Sequence, residues 1–164
     1  MATVFVKPLF IGRIVVHLRP WLDATKDRKG VSALEFAITA PVLFLVLFGI
    51  IQLGITFNNY VTLTNGVRVG SRVLAADRGS ATPYTDATTA VYNSAPALTK
   101  ASLTLTLTVN GAACTSDTTC QTALTAGVGN AATVQASYPC DLTIMGVNYA
   151  PGCTLTSTTT ERVE

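Results

Sequence analysis

The chain has 164 residues, 49% of them apolar and only 12% charged, with a net charge of +2; an ordinary soluble domain carries about 25% charged residues. With a mean hydropathy of +0.43, this balance excludes a disordered segment and argues against a plain cytosolic globule. One histidine cannot build a His-rich metal site, and so small a net charge argues against a nucleic-acid binder.

The charge is unevenly placed. Residues 1–30 hold Lys7, Arg13, Arg19, Lys26, Arg28 and Lys29 against Asp23 and Asp27, a net of +4. Apolar residues are interspersed among these charges, so the segment reads as a basic leader on the inner membrane surface and not as a span. His17 reads as a leader residue without a ligand role. Residues 31–57 carry a single charge, Glu35, and Phe36–Phe57 carries none. As a helix, those 22 residues would cover about 33 Å, enough for the roughly 30 Å hydrocarbon layer. Core helices rarely run so far without a polar stripe, and Pro41 is tolerated in a membrane helix. The basic residues before the span leave the N-terminus in the cytoplasm and send residues 58–164 across the membrane. A secretory signal would have a shorter apolar core and a cleavage site close behind it; neither is present after Phe57, so the segment is expected to stay with the mature chain.

At the inner boundary stands Lys29-Gly-Val-Ser-Ala-Leu-Glu-Phe36. Ser32 and Glu35 have capping-box spacing, which predicts Ser32 as N-cap and Glu35 at the positive end of the helix dipole. That reading does not explain why a carboxylate stands at the edge of the apolar layer, where ionisable groups are costly and often functional. Gly30 followed by Glu35 resembles a prepilin cleavage signal. More closely, residues 27–54, with Glu35-Phe-Ala, Ala40-Pro-Val and Phe48-Gly-Ile-Ile-Gln-Leu-Gly54 in order, resemble the N-terminal signature of TadE-like proteins, minor pseudopilins of tight-adherence (Flp-type) pilus assembly. The resemblance spans about residues 26–57; beyond Phe57, only Arg68, Arg72 and the Val134–Pro139 stretch are similar. It implies cleavage by a prepilin peptidase between Gly30 and Val31, and an assembly role for Glu35. The cut would create an α-amino group at Val31 that could neutralise the glutamate of a neighbouring subunit. Implied partners are the inner membrane, the peptidase, and other pilins, pseudopilins and assembly proteins. A leader of 30 residues and a mature chain starting at Val31 depart from classical type IV pilins. Ile38, Leu43 and Val46 are candidate packing positions in the span.

Beyond Phe57, residues Tyr60, Leu63, Val67, Gly70 and Leu74 fall at helical spacing and predict a seam that continues the helix outward. Gly66 and Gly70 either loosen this helix or admit a second helix closely. Arg68 and Arg72 share a face, read first as solvated. Arg78–Pro83 reads as a break and Thr85–Ala95 as a second helix. Leu103–Val109 alternates strictly and predicts a strand, followed by an Asn110-Gly111 turn. A second strand is expected over Ala132–Tyr138, and a third over Leu142–Met145 or Thr154–Thr160. The fold class is α+β: a single N-terminal transmembrane helix (31–57) after a cytoplasmic leader (1–30), leading into an exported domain (58–164) with a second helix and a small antiparallel sheet.

All four cysteines, Cys114, Cys120, Cys140 and Cys153, lie in the exported part, which suits disulfides in an oxidising compartment. Of three pairings, Cys114–Cys120 and Cys140–Cys153 each close a local loop; a four-cysteine zinc site is the alternative, although no C-x-x-C spacing supports it. No P-loop, nucleophile elbow or complete dinucleotide fingerprint occurs. The sequence therefore predicts no catalytic residue, cofactor, metal or small-molecule substrate. The rival functions are a signal-anchored extracytoplasmic binding module and a soluble secreted protein.

Overall fold

The computed structural model describes residues 28–164 other than 127, 141 and 145. The basic leader, His17 included, lies outside the described residues apart from its last three positions. The chain divides into two compact units, Met1–Leu47 and Phe48–Glu164.

In the first unit, the described residues are helical. They begin helix α1, Arg28–Ala76, which contains Pro41. Pro41 has no N–H and leaves the carbonyl four residues earlier without its helical donor. The structure corrects the capping-box reading. Helix α1 already runs from Arg28, so Ser32 lies inside it and is not its N-cap. The helix runs through Gly30 and Val31 although both are weak helix formers.

In the second unit, the C-terminal part of α1 is joined by α2 (Pro83–Ser94) and α3 (Asp117–Thr125). Six strands follow the order β1 (Thr104–Val109), β2 (Ala112–Cys114), β3 (Ala131–Pro139), β4 (Thr143–Ile144), β5 (Val147–Asn148) and β6 (Thr154–Arg162). Four form an antiparallel sheet in the order β2-β1-β3-β6, and β4 and β5 form a separate hairpin. Both candidate positions for the third strand are thus strands, although β4 is only two residues long.

Period-2 alternation decides the faces of the sheet. Leu107, Val109, Ala132, Val134 and Ala136 are buried together with Leu63, Val67, Leu74, Val91 and Leu124. On the other face, Thr104, Thr106 and Thr108 stand opposite Ser137, Gln135 and Thr133. Asn110 and Gly111 both take positive φ, 51° and 80°, and Val109 pairs directly with Ala112. A two-residue turn with φ positive at both central positions matches the twist of its strands, and asparagine and glycine are the residues that tolerate it.

The helical seam is real from Leu63 onward. Leu63, Val67 and Leu74 are fully buried. Tyr60 departs from the expectation: it is 42% exposed and lines an apolar cleft with Leu53, Thr56, Phe57 and Leu155. The two glycines admit a second helix, and it is α2 of the same chain. A Cβ on Gly66 would lie 3.2 Å from the Val91 carbonyl oxygen and 3.3 Å from the Ala95 Cβ, and one on Gly70 would overlap Val91 Cγ2. The far end of α1 is tied by the C-terminus, where the Glu164 N–H donates to the Ala75 carbonyl at 3.2 Å. Arg72 and Glu161 make an exposed ion pair at 4.0 Å.

Helix α2 starts at Pro83, two residues before the expected start, because proline is tolerated in a first helical turn. Helix α3 was not legible in the sequence. Ser116 caps it, accepting from the Thr119 N–H, and the Thr119 hydroxyl accepts in return from the Ser116 N–H at 3.0 Å. Asp117 joins α3 to α2, accepting from the Thr85 N–H and hydroxyl, both at 2.8 Å. These bonds hold the Asp117 carboxyl below the usual aspartate range. The cysteines are paired as disulfides, Cys114 with Cys120 and Cys140 with Cys153, with Cα separations of 4.8 Å and 5.2 Å.

Candidate membrane and assembly segment

The segment that could act on other molecules is the apolar half of α1. Its residues are almost all apolar, yet the described residues bury few of them. Ile38 is 66% exposed, and Leu43 and Val46 are likewise exposed. An 18-residue window of this helix has a mean hydropathy of 2.4 and none of it is buried. At about 25 cal/mol per Å², so much bare apolar surface is untenable in water, and length and composition suit a bilayer.

A helix in hydrocarbon must also satisfy its polar side chains internally. Phe36–Phe57 contains three, Thr39, Gln52 and Thr56. The Thr39 hydroxyl donates to the Glu35 carbonyl at 3.0 Å, and the Thr56 hydroxyl donates to the Gln52 carbonyl at 3.0 Å. Each uses the carbonyl one turn back, the local option open to a hydroxyl in a helix. The Gln52 side-chain amide donates instead to the Thr143 carbonyl at 3.0 Å. Gln52 was not singled out as functional in the sequence, although a lone amide in an uncharged run was the available signal.

Gly30, Val31 and Glu35 lie on the first two turns of α1, and all three are exposed. The Gly30–Val31 bond is therefore helical. Glu35 stands four residues after Val31, one turn along the same face. The four cysteines lie in the second unit, away in sequence from Gly30, Val31 and Glu35. Among the described residues, no group of three or more His, Cys, Asp or Glu side chains could hold a metal ion.

A family model described as TadE-like protein matches residues 30–72. The match begins at the candidate cleavage glycine, covers the whole apolar stretch and ends on the seam that packs against α2. Searches of curated proteins and of solved structures returned no match. The matched stretch and the apolar helix overlap from Gly30 through Phe57.

Proposed function

We propose that this chain, TadE-like over residues 30–72, is a membrane-anchored minor pseudopilin that takes part in assembling a Flp-type pilus. The observation that carries this reading is a bare apolar helical stretch, uncharged from Phe36 through Phe57, preceded within α1 by a single carboxylate, Glu35, five residues after Gly30. The basic residues before the span keep the N-terminus in the cytoplasm, and the disulfide-bonded domain is exported. A prepilin peptidase cuts after Gly30 and leaves an α-amino group on Val31.

Assembly then follows from charge and apolarity. In a row of packed helices, the Val31 amine of one subunit lies against the Glu35 carboxylate of the next, and each offsets the other's desolvation. Glu35→Leu is expected to leave membrane insertion and cleavage intact and to reduce surface filaments at least about tenfold, the effect of leaving a buried amine unpaired. Filament counts by electron microscopy, with immunoblots of the membrane fraction, provide the test. Normal piliation in the Glu35→Leu strain would contradict the assembly role of Glu35, and normal piliation on deleting the whole gene would contradict the function.

A further inference from the structure

The β4–β5 hairpin is not used by the reading above. Thr143 pairs with Asn148 and Ile144 with Val147, around a turn in which Gly146 takes φ 82°. The Cys140–Cys153 disulfide closes the base of this excursion. From Leu142 to Thr160 the sequence has no charged residue. Val147 is 55% exposed and Tyr149 is 62% exposed, so the hairpin presents apolar side chains that the domain does not cover.

Its position on α1 is what gives this exposure meaning. The Gln52 amide holds the Thr143 carbonyl at 3.0 Å. Gln52 lies five residues before Phe57, the last residue of the apolar run before Asn58 and Asn59, which is about 7.5 Å along a helix axis. If Phe36–Phe57 spans the bilayer, an element bonded to Gln52 lies at the depth of the headgroup and acyl boundary. The hairpin's backbone suits that depth. Thr143 and Ile144 are paired to β5, the Tyr149 N–H donates to the Leu142 carbonyl at 2.9 Å, and the Ala150 N–H donates to the Asn148 side chain at 2.9 Å. Tyrosine is the residue type that favours this boundary. An apolar cleft lined by Leu53, Phe57 and Leu155 begins at the residue after Gln52.

We propose that the β4–β5 hairpin is a second membrane-contacting element, which seats Val147 and Tyr149 in the leaflet on the domain's side and is held at that depth by Gln52. The occupant of this surface is the lipid bilayer itself. The inference rests on the membrane reading of α1, and the test separates the two.

The full-length chain carrying Trp21→Phe, which removes its one native tryptophan, receives a single new tryptophan by Tyr149→Trp, Val147→Trp, Leu45→Trp or Thr158→Trp. Each protein is reconstituted into phosphatidylcholine–phosphatidylglycerol vesicles with and without brominated acyl chains. The expected result is blue-shifted emission and loss of about half the intensity to brominated lipid for Tyr149→Trp and Val147→Trp, with Thr158→Trp unquenched, as boundary seating requires. If Leu45→Trp is quenched while both hairpin probes behave like Thr158→Trp, the hairpin proposal is overturned and the span stands. Blue-shifted hairpin probes that brominated lipid does not quench would place the hairpin against protein and also overturn it. An unquenched Leu45→Trp would remove the span, and the proposal with it.

Discussion

Gly70 shows how much one missing methyl group can decide. Its Cβ would overlap Val91 Cγ2 and stand 3.2 Å from the Ala87 carbonyl oxygen, and Val91 is a fully buried, β-branched residue with little rotamer freedom. Gly70→Ala gains up to about 1 kcal/mol of helix propensity, but overpacking of this kind costs about 1–3 kcal/mol. A net loss of up to about 2 kcal/mol is expected in thermal unfolding, with a smaller loss for Gly66→Ala, whose contacts are looser. Asp77 and Asp117 are opposites. Burial, and next the Asp86 carboxylate, push the Asp77 carboxyl above the ordinary aspartate range, and its Oδ2 is buried without a hydrogen bond. The folded state therefore holds this proton more tightly than the unfolded state, so its effect on stability is a loss as pH rises from about 3.9 through the raised value. The lowered Asp117 carboxyl contributes stability above the ordinary range that is lost as pH falls through its folded value. Melting temperatures against pH should show a shallower fall above about pH 4 for Asp77→Asn, and a shallower acid limb for Asp117→Asn. Unchanged limbs in the two variants would contradict these assignments.

At the scale of elements, strong apolar patterning was the part of the fold that could be read. The uncharged run at Phe36–Phe57, the alternation of Leu105, Leu107 and Val109, the Asn110-Gly111 turn and the local cysteine pairs each carry their structure in residue type and spacing. Helix α3 does not: Asp117–Thr125 offers only Cys120 and Leu124 as buried residues, too few to show a helical period. Its signal is the Ser116–Thr119 reciprocal cap, a weaker form of the serine–glutamate box. The same spacing at Ser32–Glu35 marks no helix start, because the helix already runs from Arg28. Strand β6 was also faint, as its threonine run lacks apolar alternation; pairing with the whole of β3 turns threonine's β preference into a strand. The two disulfides restrain loops of separation 6 and 13, which in the chain-entropy account corresponds to about 2 and 3 kcal/mol. Cys114→Ser with Cys120→Ser should lower denaturant stability by at least about 2 kcal/mol, since both residues are also buried. Cys140→Ser with Cys153→Ser should destabilise the domain and also loosen the base of the β4–β5 excursion. Equal urea midpoints with and without reductant would contradict a stabilising role for either bond.

For the whole molecule, the distribution of charge carries the functional account. A basic leader, a charge-free span and a near-neutral disulfide-bonded domain make sense together in a chain held across a membrane. The candidate site was legible in outline because Gly30, Glu35 and the apolar run are linear features. The Gln52–Thr143 link was not, because it joins residues separated by 91 positions. The account requires that the span be kept and only the leader removed. The most direct measurement is the intact mass of the protein in the alkali-washed membrane fraction of cells that carry a prepilin peptidase. The account predicts a detergent-requiring chain that starts at Val31, and an uncut chain in the same cells when Gly30 is replaced by isoleucine. A water-soluble product beginning beyond Phe57 would contradict the anchor, and a wild-type chain that keeps its leader would contradict the processing.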